Sequence, residues 1–408
     1  MNYKYLALGI VGLLFVFQMV VDWLSVRSAN REIPDSVKDV YDQDSYEKWL
    51  AYFHEERRLY FVGHIASHVV TLLVIASDAY AKIANALFPE GIYGAAIAVL
   101  AADTLIGLIY SLPLNYWDSM VIEQKYGFNQ RTLKTFIIDQ IKDLVIGFGV
   151  MAALCSLFIL IHQTLGNWLL PVFGGAVLLV LLIVVALNPL LSKIYNKFEP
   201  LPDGTLRDRL TALLTENGCT VKAVNVMDGS KRSSKANAYF SGLGRTKTIV
   251  LYDTLLEQMT EDEIVAVFAH EVGHNKHRDT LKMYCMSTLN IAILVFLAWG
   301  LISVPGIYQD FGFSGVNYGF TFYLLGSVCA AALSPFLGLL TSAFSRRYEY
   351  AADRFAAENG YGEALISALK KLARNSFACL TPHPVLVALT YSHPTISQRV
   401  AALEVHHE

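Results

Sequence analysis

Apolar residues in this chain fall in long uninterrupted blocks instead of alternating or recurring every third or fourth position. Tyr5–Val21, Leu59–Ser77, Met283–Gln309 and Phe311–Ser345 contain no Asp, Glu, Lys or Arg, and Gly91–Trp117 contains only Asp103. Leu144–Ser192 is also free of charge but too long for one helix, and the polar, glycine-containing stretch His162–Trp168 divides it into two. About twenty consecutive apolar residues cross the hydrocarbon core of a bilayer as a helix. The pattern therefore predicts an α-helical polytopic membrane protein with seven transmembrane helices. Tyr5–Val21 is read as a retained helix, since no small-x-small cleavage site closes it and its flanks are as acidic as they are basic.

The polar segments divide the chain further. Residues 1–192 hold spans one to five with their loops, 193–282 a soluble insertion, 283–345 spans six and seven, and 346–408 a polar tail. Within the insertion, Leu206–Asn217 has helical periodicity, and Val221–Met227, Ala236–Phe240 and Thr246–Leu251 read as strands. Ser241-Gly242-Leu243-Gly244 is the expected hairpin turn, and Thr260 with Glu263 forms the capping box of a following helix. The insertion is thus a small α+β unit. Lysine and arginine concentrate in alternate loops: Arg27, Arg31, Lys38, Lys48, Arg57 and Arg58 after span one, Lys125, Arg131, Lys134 and Lys142 after span three, then the insertion and the Arg346-Arg347 tail. This bias places the amino terminus outside and the insertion and carboxyl terminus in the cytoplasm.

Composition agrees, at 54% hydrophobic and 16% charged residues. A net charge of −3 without a basic cluster gives no sign of a nucleic-acid partner; the partners expected are membrane lipids and a peptide or protein substrate. The five cysteines have neither CxxC spacing nor a disulfide framework.

The chemistry lies in His270-Glu271-Val272-Gly273-His274, on the helix that the capping box starts. Two histidines four residues apart share one helix face and can bind one Zn²⁺, with the glutamate beside the open coordination position. Such a zinc would polarise a water whose proton Glu271 takes and passes to the leaving amine. A catalytic zinc needs a third protein ligand. Glu349, in Ser345–Asp353 just past span seven, is the best source, because two spans separate it from His274 and return it to the same side of the membrane. Asp353, one turn later, either orients a ligand histidine or donates a proton, and the orienting role is favoured.

These residues, with Ser392-His393-Pro394 and Arg399, resemble the type I CAAX prenyl proteases, integral-membrane zinc enzymes of the a-factor-converting and prelamin A-processing kind. Glu123–Asn129, Asn188-Pro189, Asn196–Leu201, Ser233–Phe240 and Ile249–Leu255 extend the likeness, in order, over most of residues 1–405. The resemblance implies seven tilted helices around a large water-filled chamber, with one zinc held by His270, His274 and Glu349 near its cytoplasmic end. It also implies that Glu271 is the general base and that His393 and Arg399 face the scissile carbonyl. Asn237 and Ala238 would lie on an edge strand to which an extended substrate adds. The substrate would be a peptide or protein tail, prenylated or not, cleaved near its carboxyl terminus. Two departures are the short chain and a terminus, Glu404–Glu408, without a dilysine- or KDEL-type signal. Both point to a bacterial or similar homologue in a plasma membrane; a eukaryotic one would sit in the ER membrane.

Other polar residues have plainer readings. His64 and His68 repeat the four-residue spacing inside a span but lack a glutamate between them and a third ligand; with Asp78 and Asp103 they are expected to face a wet interior. His277 and Asp279 would cap a helix end or support a ligand, and His383 is the weaker alternative to His393. Two other functions fit the same pattern: a quality-control protease with no prenyl requirement, and a transporter or channel with a structural zinc.

Overall fold

The computed structural model describes residues 2–219, 222–241 and 248–405. The chain opens with α1 (Tyr3–Ser28), α2 (Gln43–Ser77), α3 (Ala79–Leu87), α4 (Ile92–Tyr116), α5 (Leu133–Leu165) and α6 (Leu169–Leu191). Side chains fix where these helices start: Asn2, Asp42 and Thr132 each accept from first-turn amides that have no intrahelical partner. Gly166, with φ 53°, ends α5, and a single 3₁₀ turn separates it from α6, at the polar break in the long apolar block.

The soluble unit follows as β1 (Phe198–Pro200), α7 (Thr205–Glu216), β2 (Ala223–Met227), β3 (Ala238–Ser241), β4 (Thr248–Tyr252), α8 (Asp253–Gln258) and α9 (Glu261–Lys276). The sheet order is β1-β2-β4-β3, with β2 and β4 parallel and the outer pairs antiparallel. β3 and β4 thus pair as a hairpin with Ala238 opposite Leu251, leaving β3 as an edge; the expected turn at 242–244 lies outside the described residues.

The last helices are α10 (Asp279–Ile302), α11 (Pro305–Asp310), α12 (Tyr318–Leu324), α13 (Ala331–Glu358), α14 (Gly362–Asn375), α15 (Pro384–Thr390) and α16 (Ile396–Val405). They differ from the expected spans 283–309 and 311–345. Pro305 disfavours helix at the residue before it, so α10 stops at Ile302 and α11 is a separate short helix. α12, a π-helical turn at Leu325–Ala330 and α13 form one continuous rod. Glu349 therefore stands on the extension of a membrane helix, not on a separate helix beyond it.

Among the described residues, six helices are long and apolar enough to cross a membrane: Tyr3–Ser28, Gln43–Ser77, Ile92–Glu123, Leu133–Leu165, Asp279–Ile302 and Tyr318–Glu358; Leu169–Val184 is a shorter apolar stretch. Only between 11% and 22% of each span's apolar window is buried inside the protein, so their remaining apolar surface requires lipid. Between the apolar helices lies a half-open cavity of about 540 Å³ with Gln18, Ser67, His68, Thr71 and Asp103 on its wall. This places His68 and Asp103 against a polar interior. His64 is bound to Asp22 at 2.8 Å, and His68 Nδ1 donates to the His64 carbonyl at 2.8 Å.

The soluble core includes helices from beyond residue 282. Leu210, Ile249, Leu251, Val265, Phe268 and Val272 pack together with Phe355, Ala356, Leu365, Leu369 and Leu403 of α13, α14 and α16. The tail closes this core, because a four-stranded sheet and three short helices cannot bury the apolar faces of α9 unaided.

Candidate active site

The site begins with the way α9 is held. The Thr260 hydroxyl accepts the Glu263 amide while the Glu263 carboxylate accepts the Thr260 amide. The same carboxylate takes hydrogen bonds from Ser367 at 2.6 Å and Lys371 at 2.7 Å, joining α9 to α14. Burial alone would raise the Glu263 carboxyl; the hydrogen bonds from Lys371, Ser367 and the Thr260 amide outweigh it and hold the group below its ordinary pKa.

Gly273 then sets the distance to α13. A Cβ at this position would lie 3.0 Å from the Ala352 Cα and 3.2 Å from the Phe355 Cβ, so only glycine lets the two helices approach this closely. That contact brings Glu349 to the histidine pair. His274 Nε2 lies 3.2 Å from His270 Nε2 and 3.2 Å from Glu349 Oε1, and His270 Nε2 lies 3.5 Å from Glu349 Oε2. These three side chains are the one group among the described residues whose ligand atoms converge, within 4.8 Å, in a way that could hold a metal ion.

The opposite ring nitrogens fix the tautomers. His270 Nδ1 is 2.8 Å from Asp353 Oδ1 and His274 Nδ1 is 3.0 Å from Asp279 Oδ2; facing carboxylates, both nitrogens donate. Both Nε2 lone pairs then point at each other and at the Glu349 carboxylate. Such an array of acceptors repels itself unless a proton or a cation sits between them, which is the condition a divalent metal satisfies. Without a metal, burial and Arg399 push His270 down, but the hydrogen bonds of Asp353 and Glu349 prevail and raise its pKa to about 9.

The remaining residues take distinct places. Glu271 follows His270 on α9 and its carboxylate makes no hydrogen bond to any described residue. Burial pushes its carboxyl pKa up, against the downward pull of His270 and His274. His393 lies between α15 and α16, 62% exposed, with Nδ1 2.9 Å from Glu349 Oε2. Arg399 on α16 is buried beside His270: its guanidinium binds Asp353 through Nε–Oδ2 at 2.8 Å and Nη2–Oδ1 at 2.6 Å, and its Nη1 lies 3.4 Å from Glu349 Oε2. A guanidinium engaged by a buried carboxylate on two sides is held in a fixed orientation. Asp353 receives both Arg399 and His270, which is an orienting geometry.

Asn237 immediately precedes β3 and Ala238 opens it. The Asn237 side chain accepts its neighbour's amide at 2.8 Å, and its carbonyl accepts the Tyr252 amide at 3.0 Å. β3 is the edge strand of the sheet next to β4, and it runs beside α9, the helix that carries the histidines. His277 caps the end of α9, and His383 caps α15 through the Val385 amide.

Residues 200–406 match the model of peptidase family M48, and residues 22–193 match that of the CAAX prenyl protease N-terminal region, five membrane helices. The chain belongs to peptidase family M48. It is similar to the CAAX prenyl protease 1 homolog of Oryza sativa, 30% identical with 96% of this chain and 95% of that protein covered. CAAX prenyl protease 1 of Saccharomyces cerevisiae is 28% identical, with 91% and 88% covered. The crystal structure of S. mikatae Ste24p superposes with a TM-score of 0.93 at 26% identity over 99% of each chain. The protein is accordingly an integral, multi-pass membrane metalloendopeptidase acting on peptide or protein substrates, which removes the reading as a transporter with structural zinc.

Asp279, five residues past His274, supports a ligand, one of the roles expected for it: Arg278 at φ 56° turns the chain so that Asp279 starts α10 and reaches back to His274. Lys282 holds its other oxygen at 2.8 Å. Arg346, whose guanidinium binds the end of α15, had no signature other than its place three residues before Glu349.

Proposed function

We infer that the protein is a zinc-dependent endopeptidase with seven spans, α6 being the additional one, whose active site and carboxyl terminus face the cytoplasm. The description of the matched N-terminal region as five membrane helices supports counting α6, and the lysine and arginine bias supports the orientation. The observation that carries the reading is the convergence of His270, His274 and Glu349, with each imidazole backed by an acid.

Zinc bound by these three residues would supply a Lewis acid that acidifies water and polarises a carbonyl. Glu271, without a hydrogen-bond partner among the described residues and with its pKa raised by burial, accepts the proton of the attacking water and delivers it to the leaving amine. His393, exposed beside Glu349, donates to the oxygen on which charge develops. Asp353 and Asp279 orient the ligand imidazoles, and Arg399 acts through Asp353 by fixing that carboxylate. The free edge of β3 at Asn237 and Ala238 accepts an extended substrate by backbone hydrogen bonds, which tolerates varied side chains. The substrate is a CAAX-type tail cleaved near its carboxyl terminus and carrying a prenyl group.

The test uses one CAAX peptide in farnesylated and unmodified forms with the purified, membrane-reconstituted protein. Hydrolysis should stop with chelator, return with zinc, and be faster on the farnesylated peptide. Equal rates on both forms would remove the lipid requirement and leave a quality-control protease. Chelator-resistant hydrolysis would overturn the metal assignment itself.

A further inference from the structure

His393 belongs to no helix or strand, yet it must meet Glu349 at a fixed distance. What fixes it comes from α13. The Arg346 Nη1 donates to the Val387 carbonyl at 2.7 Å and to the Tyr391 carbonyl at 2.8 Å, with the Ala388 carbonyl at 3.5 Å. Val387 and Ala388 belong to the last turn of α15, whose carbonyls have no partner within the helix. Eight residues earlier on α13, a Cβ on Gly338 would lie 3.1 Å from the Leu389 carbonyl, so α15 rests its end closely on the same helix. On the other side of His393, Thr395 and Gln398 cap α16 reciprocally, at 3.0 and 3.2 Å. Only Ser392, His393 and Pro394 span the interval between these two anchors.

We propose that Arg346 is a positioning residue for His393. α13 thus carries Glu349 and Asp353 into the site and, one turn before Glu349, also pins the turn that presents His393. One helix sets the geometry of both sides of the cleft. A single guanidinium nitrogen shared among carbonyls from two consecutive segments suits this role, since it stops the α15–α16 connection from sliding along α13. The inference rests on the assignment of His393 to the developing oxyanion, and it concerns how that imidazole is held.

A double-mutant cycle on a fluorogenic farnesylated CAAX peptide, with the full-length protein in nanodiscs, tests it. Arg346→Gln should lower kcat by between about ten- and a hundredfold, the scale of a misplaced catalytic group, with KM and bound zinc unchanged. In a His393→Ala background the same substitution should change kcat less than about twofold, because the group it positions is gone. Should Arg346→Gln lose zinc or melt early, Arg346→Lys carries the same comparison. Arg346 variants at the wild-type rate, or losing the same factor with and without His393, would overturn the proposal. A His393→Ala enzyme as active as the wild type would instead remove the role of His393 itself, and that outcome is visible in the single variant.

Discussion

Replacing Gly273 by alanine tests whether the approach of α9 to α13 sets the metal site. Two terms of opposite sign act. In a helix interior alanine is favoured over glycine by about 1 kcal/mol, so the substitution strengthens α9 itself. Against this, the new methyl would stand 3.0 Å from the Ala352 Cα, which is backbone and cannot rotate away, and 3.2 Å from the Phe355 Cβ. Overpacking a close contact costs about 1–3 kcal/mol, relieved only if α13 moves outward by a few tenths of an ångström. Global stability therefore changes little, between neutral and a loss of about 2 kcal/mol. Metal affinity separates the terms. The helix term is the same with and without metal, whereas moving α13 withdraws Glu349 from histidines that it now faces at 3.2 and 3.5 Å. If the whole contact penalty falls on the metal-bound geometry, zinc affinity drops between about fivefold and about 150-fold. Competition with a chromogenic chelator measures this directly, and thermal unfolding of the chelated protein reports the stability term separately. Unchanged zinc affinity in Gly273→Ala would refute the view that this helix contact builds the site.

Glu271→Gln should keep zinc and lose between about a hundred- and ten-thousandfold in kcat, the usual contribution of a general base; wild-type turnover would remove Glu271 from that role. Asp279→Ala should weaken zinc binding by about ten- to a hundredfold, the usual cost of deleting a carboxylate behind a ligand imidazole, as read by zinc competition. Zinc uptake should release protons at neutral pH, because metal binds neutral imidazole and His270 in the metal-free site titrates at about 9. Apparent affinity then rises with pH toward that value, and calorimetry in buffers of different ionisation enthalpy will detect the release; none at pH 7 would contradict the raised pKa. In the metal-free protein the same group, raised in the folded state, contributes stability below the unfolded pKa of about 6.5 that fades as pH passes 9. Glu263→Ala should destabilise the protein by about 1–3 kcal/mol in thermal unfolding, by leaving Lys371, Ser367 and the Thr260 amide without their shared acceptor.

Much of this protein is written locally. A block without charge must be helical in lipid whatever surrounds it, because every backbone group has to be satisfied within the segment. Length and polarity alone therefore located six spans among the described residues, the bounds of the last two displaced, and the Thr260–Glu263 box located the start of α9. The four-residue histidine spacing put two ligands on one face, and counting spans brought Glu349 to their side. Distances across the fold were not legible. The family resemblance singled out Arg399, yet only packing reveals that the buried Asp353 binds its guanidinium on two sides. Asp279 and Arg346 act on partners reached by a left-handed turn and by the seating of α15 on α13, and no spacing rule encodes either. The helices that pack on the 193–282 segment were not legible for the same reason: hydrophobic pattern marks which face of a helix must be covered but not which later segment covers it, and here α14 and α16 do so.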